Sequence, residues 1–399
     1  MFKVLLLTLV SLSFFSGCTS SGMADITPQQ SEPMYVDENT LILFALDAES
    51  HHKSAEAVGY FDLLYKRTKD TIYRDKAIRA LMQGGYYKDV VLRLELRRKE
   101  GGELSEQDRR YLSLAYLANK AYVKAEREAK DLVHVNASEE NYLVLAEVYR
   151  IEKNYLEMLA VLEKAYQLHY SESVLDKIAV VLYGSMNNPY EAIGRINAHN
   201  KNLGYSPLLT KRLVAFYRDQ GDLQGLLESY PKLYELEPTK ENADIVIQLY
   251  WNEKKVPELV AFLEKTGANN ELLLKIYSSE LKFKKAIPLA EKLYEESGDL
   301  DYLGQKAIFM YETADHRDDE KLLDTVIEDL SKVVAVKEEG YYLNYLGYCM
   351  IEHDRNVTAG IEYIKRALAI EPDSGFFIDS LAWGYYMQGK CEEADTLMK

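Results

Sequence analysis

The residues able to do chemistry in this chain are few, and their spacing serves chemistry poorly. Seven histidines are scattered along the sequence, and the adjacent pair His51-His52 has no further ligand nearby to complete a metal site. The acidic run Asp315-His316-Arg317-Asp318-Asp319-Glu320 has neither the spacing nor the central glycine of a calcium loop, so it reads as a solvated insertion. No HExxH, GxSxG, phosphate-binding loop or glycine-rich dinucleotide fingerprint occurs. Nothing here calls for a cofactor or for turnover. One modification signal stands out. Asp354-Arg355-Asn356-Val357-Thr358 is an Asn-x-Thr acceptor with an acid two residues before the asparagine, the extended bacterial form of the sequon. It matters only in an organism with a periplasmic oligosaccharyltransferase, and Asn356 otherwise reads as part of a polar turn.

The elements that carry these residues are helices throughout. Near the C-terminus, Leu343, Leu346, Gly347 and Met350 mark one face of a helix, and Ile361, Ile364, Ala367 and Leu368 mark a second. Pro372 stops that helix, and the pattern restarts at Ile378, Leu381, Ala382 and Tyr385, with a turn at Gly389. Leu346 to Leu381 is one unit of roughly 34 residues, the period of stacked helix pairs. The same spacing separates Tyr116 from Tyr149 and Tyr122 from Tyr155. Gly85 and Gly221 suit the sharp turns inside their pairs. The fifth pair, around 178–200, is looser, and the seventh is short near Thr266-Gly267-Ala268. Pro231 and Pro288 fall inside second helices and predict a kink or a shortened helix at each. The fold class expected is all-α, a solenoid of about eleven helix pairs over 40–399.

The net charge of −16 argues against nucleic acid as a partner, because phosphate contacts need a basic face. It fits a neutral or locally basic partner. Most of the 32 tyrosines read as packing between helices.

The first residues stand outside this pattern. Lys3 is followed by an apolar run from Val4 to Phe15, too short to span a bilayer comfortably, and then by Phe15-Ser16-Gly17-Cys18. This resembles a bacterial lipobox, with Phe15 where leucine is usual, and implies a lipoprotein signal peptide over 1–17 and acyl chains on Cys18. Two or more chains hold a protein stably on a membrane. Thr19 follows, not aspartate, so inner-membrane retention is not signalled and the outer membrane is expected. Residues 18–39 are rich in Ser, Thr, Gln, Pro and Gly and read as a flexible tether.

Taken together, the paired-helix period and the run Asp379-Ser380-Leu381-Ala382-Trp383-x-Tyr385 resemble bacterial tetratricopeptide-repeat lipoproteins. The resemblance implies a right-handed superhelix whose first helices line a concave groove for peptides or partner proteins. It implies a passive scaffold in an envelope assembly: pilus or secretion apparatus, flagellar motor, polysaccharide export or peptidoglycan machinery. On that template Tyr341, Tyr345, Tyr348, Phe376, Trp383 and Tyr386 fall toward the groove, and aromatics are favoured at binding hot spots. Lys211, Arg212 and Arg218 take equivalent positions in the sixth unit and suggest a basic patch for an acidic partner or, less favourably, a polyanionic glycan. Cys349 and Cys391 lie in adjacent repeats, and an exported chain meets an oxidising compartment, so they are candidates for a disulfide as well as for two thiols. Two rival readings stay open. One is a glycan- or peptidoglycan-fragment-binding protein, favoured by carboxylates facing aromatics in a deep pocket. The other is a subunit that assembles end to end through an uncapped C-terminal repeat.

Overall fold

A computed structural model describes residues 36–399, and Cys18 and the apolar run before it lie outside the described residues. The described chain is all-α and falls into two compact units, the first ending at His169 and the second beginning at Tyr170.

The first unit holds four helix pairs: α1 (Glu38–Ser50) with α2 (Ser54–Thr68), α3 (Thr71–Gln83) with α4 (Tyr87–Lys99), α5 (Glu106–Ala118) with α6 (Tyr122–Val135), and α7 (Glu139–Ile151) with α8 (Tyr155–His169). Helix α1 starts two residues before the expected boundary, because Asp37 caps it by accepting from the Thr40 amide.

The second unit holds seven pairs. Helix α9 (Glu172–Val180) runs through a π-helical turn at Val181–Ser185 before α10 (Pro189–Leu203), and that turn is the source of the loose fifth period. Then come α11 (Pro207–Gln220) with α12 (Leu223–Leu236), α13 (Lys240–Asn252) with α14 (Val256–Thr266), and α15 (Asn270–Ser279) with α16 (Phe283–Ser297). The last three pairs are α17 (Leu300–Thr313) with α18 (Glu320–Val334), α19 (Gly340–Glu352) with α20 (Val357–Ile370), and α21 (Gly375–Met387) with α22 (Cys391–Leu397).

Within each pair, chain chemistry makes the turn. A left-handed residue ends the first helix in ten of the eleven pairs, as the C-cap at Gly221 and just after it elsewhere, with φ between 50° and 75° at His52, Gly85, Lys120, Lys153, Asn187, Gly221, Lys254, Leu281, Asp354 and Gly389. The next amide usually reaches back five residues to a carbonyl, as in Ala121 to Tyr116 at 2.8 Å and Lys282 to Tyr277 at 2.8 Å. This satisfies the helix end and fixes the reversal. The exception is the charged insertion, which spaces α17 from α18 by the six residues 314–319.

Only three of those ten positions are glycine, so the other side chains bear the cost of left-handed backbone. Lys120 and Lys153 are exposed, so each can be replaced without disturbing the core. Lys120→Gly and Lys153→Gly are each expected to stabilise the first unit by about 0.5–1 kcal/mol. An unchanged or lowered urea midpoint would count against this.

Alanines and leucines alternate where helices meet. Ala45, Ala77, Ala115, Ala125, Ala165, Ala286 and Ala307 are fully buried and let backbones approach, while Leu64, Leu94, Leu132 and Leu162 fill the space between neighbours. In the first unit this core carries buried ions. Asp108 is almost wholly enclosed; its carboxylate accepts from the Ser105 amide and hydroxyl and pairs with Arg97 at 2.9 Å. Glu128 is held between Arg98 at 2.9 Å and Arg109 at 2.6 Å.

The expectation at the two internal prolines is corrected in part. Both α12 and α16 keep their full length, 14 and 15 residues, across Pro231 and Pro288. Pro288 and Lys284, one turn earlier, are both exposed, so water can serve the carbonyl that the proline ring cannot.

Candidate functional site

The six aromatic residues singled out in the sequence do converge. Helix α21 carries Phe376, Asp379, Trp383 and Tyr386 on one face, at i, i+3, i+7 and i+10. Helix α19 turns Tyr341, Asn344, Tyr345, Tyr348 and Glu352 toward it. Between them lie two adjoining hollows. One, of about 360 Å³, is lined by Tyr341, Asn344, Tyr345, Tyr348, Phe376 and Asp379, with Glu312 of α17 at its edge. The other, of about 530 Å³, runs from Tyr348, Glu352 and Asp379 past Trp383 and Tyr386 to Cys391 and Asp395 of α22. Tyr348 and Asp379 belong to both, so the two form one groove.

The groove is aromatic and open to solvent. Phe376 is 85% exposed, Tyr386 56%, Tyr341 51% and Trp383 37%. Burying an aromatic is a large gain that these side chains forgo in the free chain. Trp383 and Tyr386 stack on each other with centroids 5.4 Å apart, and Tyr341 meets Tyr345 edge-on at 5.2 Å. Tyr345 donates to the Glu312 carboxylate at 2.7 Å. Burial first, and then that bond, pushes the Tyr345 phenol well above its ordinary range, so it stays a neutral hydroxyl. Burial raises Tyr341 and Tyr348 as well.

Sequence reasoning missed the polar members of this wall: Asn344, Glu352 and Asp379 as groove residues. The signal was present. Asn344 and Glu352 share the helical spacing of Tyr341, Tyr345 and Tyr348, and Asp379 lies between Phe376 and Trp383 on the same face.

The basic patch does not form as expected. Arg212 forks onto Asp176 at 2.6 and 3.0 Å, and Lys211 pairs with Glu237 at 2.7 Å. Arg218 donates to the Tyr230 hydroxyl. Two of the three charges are thus neutralised within the second unit, which leaves Arg218 alone with its charge.

The disulfide is also corrected. Both cysteines are free thiols: Cys349 is fully buried in the core beneath α19, whereas Cys391 opens α22 on the surface. Neighbouring repeats do not bring the two together because one side chain faces inward and the other lines the groove. Burial pushes the Cys349 thiol up to about 12. Native protein treated with iodoacetamide at pH 8 should therefore be modified at Cys391 and spared at Cys349 until denaturant is added. Peptide mass spectrometry reads this, and modification of Cys349 in the native state would refute it.

Asn356 is exposed in a four-residue turn, one longer than the three-residue turns at 119–121 or 253–255. Its side chain accepts from the Ala359 amide at 3.0 Å and caps α20. His51 and His52 sit in the first turn, exposed. Among the described residues, no group of three or more His, Cys, Asp or Glu side chains is placed to hold a metal ion. No helix there is long and apolar enough to cross a membrane.

No family model matches the chain, and no curated protein matches it. Solved structures do. A chain of the APC/C hetero-tetramer Cut9-Hcn1 is 10% identical over 91% of this chain and 93% of its own, with a TM-score of 0.40. A tetratricopeptide repeat protein from Parabacteroides merdae is 11% identical over 62% of this chain and 98% of its own, at 0.27. A chain of the Naa15/Naa10 complex bound to HypK-THB is 12% identical at 0.30; the match spans 90% of this chain and 62% of that one. The all-α helical-repeat fold rests on the eleven helix pairs and their recurring turns among the described residues.

Proposed function

We propose that this chain is a lipid-anchored, periplasm-facing scaffold of the outer membrane that holds another envelope protein in the groove between α19 and α21. The observation that carries the reading is the groove itself. Four large aromatics stand exposed on two facing helices, in a chain whose other aromatics mostly pack between repeats. Contiguous exposed aromatic surface of this kind marks a contact site. On this reading binding is recognition without turnover. The lipid anchor rests on the sequence around Cys18 alone.

Cross-linking pull-down from native membranes tests the reading, with the wild type and with Phe376→Ala combined with Trp383→Ala. The expected result is a partner captured by the wild type and lost in the double variant. Identical capture by both would remove the groove from the function.

A second reading has one observation in its favour. Asp379 and Glu352 share the larger hollow with Trp383 and Tyr386, which is the carboxylate-and-aromatic combination expected of a glycan site. The hollows are open and not deep, which favours the scaffold.

A further inference from the structure

We propose that the α19–α21 groove is a receptor for a cationic side chain, arginine or lysine, carried on an extended segment of the partner protein. This rests on the scaffold reading above and names the partner's chemistry.

The argument is an inventory of what the groove leaves unmet. Its lining contains no lysine or arginine in either hollow. Two of its four carboxylates are already engaged: Glu312 pairs with Arg317 at 2.8 Å and accepts from Tyr345, and Asp395 pairs with Lys399 one turn away. The other two, Glu352 and Asp379, have no ion pair or side-chain hydrogen bond among the described residues, whereas several carboxylates facing a neighbouring repeat elsewhere have a cation. Arg79 on Glu49, Arg93 on Asp62 and Arg212 on Asp176 are examples. A third acceptor, Oδ1 of Asn344, is buried in the wall of the smaller hollow and meets no donor. The two carboxylates and this carbonyl oxygen are all acceptors.

An occupant that satisfied all three would bring N–H donors and positive charge. A guanidinium brings five donors and an ammonium three. Aromatic faces beside the carboxylates favour the same ligand. Trp383 and Tyr386 line the larger hollow with Asp379 on α21, and Tyr348 lines it with Glu352 on α19, and cations are attracted to aromatic faces within about 6 Å. The tyrosine hydroxyls stay neutral, so they do not compete as anions. Arginine joins charge, planarity and weak hydration in one group, and suits the groove best. The net charge of −16 steers a basic segment toward the chain from any side, so local readout is needed to assign the site.

Trp383 supplies that readout. Trp251 is the other tryptophan, and Trp251→Phe leaves Trp383 as the reporter. The probe is an acetylated Arg-Ala repeat octapeptide, titrated against the reporter's emission at 50 mM salt. The expected result is saturable quenching at least tenfold tighter than for the same peptide with citrulline in place of arginine. Asp379→Asn with Glu352→Gln, which keeps shape and removes charge, should weaken binding at least tenfold. Glu241→Gln with Glu295→Gln removes the same charge from α13 and α16 and should change it less than twofold.

Equal affinity for the citrulline peptide, indifference to Asp379→Asn with Glu352→Gln, or quenching by chitotetraose but not by the arginine peptide would each overturn the inference. The pull-down separates the two readings. Capture lost with Phe376→Ala and Trp383→Ala but kept with Asp379→Asn and Glu352→Gln leaves the scaffold and removes the cation. Capture indifferent to both pairs removes the scaffold itself.

Discussion

Gly347→Ala is expected to cost about 3 kcal/mol and to unravel the C-terminal pairs while the first unit stays folded. A methyl at residue 347 would sit 2.6 Å from the Gly360 carbonyl oxygen and 2.6 Å from Cγ1 of Ile364. The reverse holds across the same contact: a methyl at residue 360 meets the Gly347 carbonyl oxygen at 2.7 Å and Ile351 Cγ1 at 2.7 Å. Helices α19 and α20 thus touch backbone to backbone, and no rotamer change can make room. Overpacking of this kind costs 1–3 kcal/mol or more, because the backbone must shift.

In a repeat array each unit leans mainly on its neighbours, so the loss should stay local. Amide exchange in α19 to α22 should rise by about a hundredfold, the equivalent of 2.7 kcal/mol, with α1 to α8 unchanged. Gly194→Ala is the control. Gly194 is an exposed helical residue of α10 with nothing within 4 Å of the added carbon. That change should stabilise by about 0.5–1 kcal/mol through helix propensity. Equal exchange in Gly347→Ala and wild type would sink the prediction.

Alkali should unfold this protein abruptly above pH 10. Tyr116, Tyr277, Tyr311 and Tyr342 are nearly fully buried, and burial is the leading cause that raises each phenol above its ordinary value. Glu95 adds to the effect by accepting from Tyr116, and Glu264 does so at Tyr277. The sign follows from linkage. The folded chain holds these protons more tightly than the unfolded chain, whose tyrosines titrate near 10. Stability is therefore complete below pH 10 and falls as pH rises through the raised folded values. Each buried tyrosine that stays protonated removes about 1.4 kcal/mol per pH unit above 10, so four remove about 5–6 kcal/mol per unit.

Lys337 works in the same direction: Asp301 and then Asp299 raise its ammonium to about 12, and this contact too is lost at high pH. Tyrosinate absorbance near 295 nm should rise gradually as the exposed tyrosines ionise, and then in a steep step that coincides with loss of the helical circular dichroism signal. A broad titration centred near 10, with helix content retained to pH 12, would refute it.

The helix pairs were legible in the sequence because apolar period and turn residues are local signals. Gly85, Gly221 and Gly389 marked three turns outright. The left-handed lysines Lys120, Lys153 and Lys254 gave no such mark, since what holds them is a backbone bond that no side chain announces. The aromatic face of α19 and α21 was legible for the same reason as the helices: it follows the helical period.

What failed was pairing over long stretches of sequence. The partners of Arg212 and Lys211 lie 36 and 26 residues away, and nothing near Arg212 in sequence points to Asp176. The orientations of Cys349 and Cys391 escaped for a related reason: proximity of repeats says little about which way two side chains point. Pro231 and Pro288 looked disruptive because propensity judges the helix alone, whereas the packed neighbours hold it in place.

The backbone contact at Gly347 and Gly360 also bears on how the groove would fill. Helix α19 is one wall of that groove and touches α20 backbone to backbone at Gly347 and Gly360, with Ile351 and Ile364 packed beside the contact, so it cannot slide or tilt without breaking it. The fold thus sets the width of the groove. An arriving segment would bear the cost of its own ordering and of a few aromatic rotamers, about 0.5–1.5 kcal/mol for each side chain stilled, and little for the wall itself. Two glycines on the far face of a helix thus make the near face a preorganised surface.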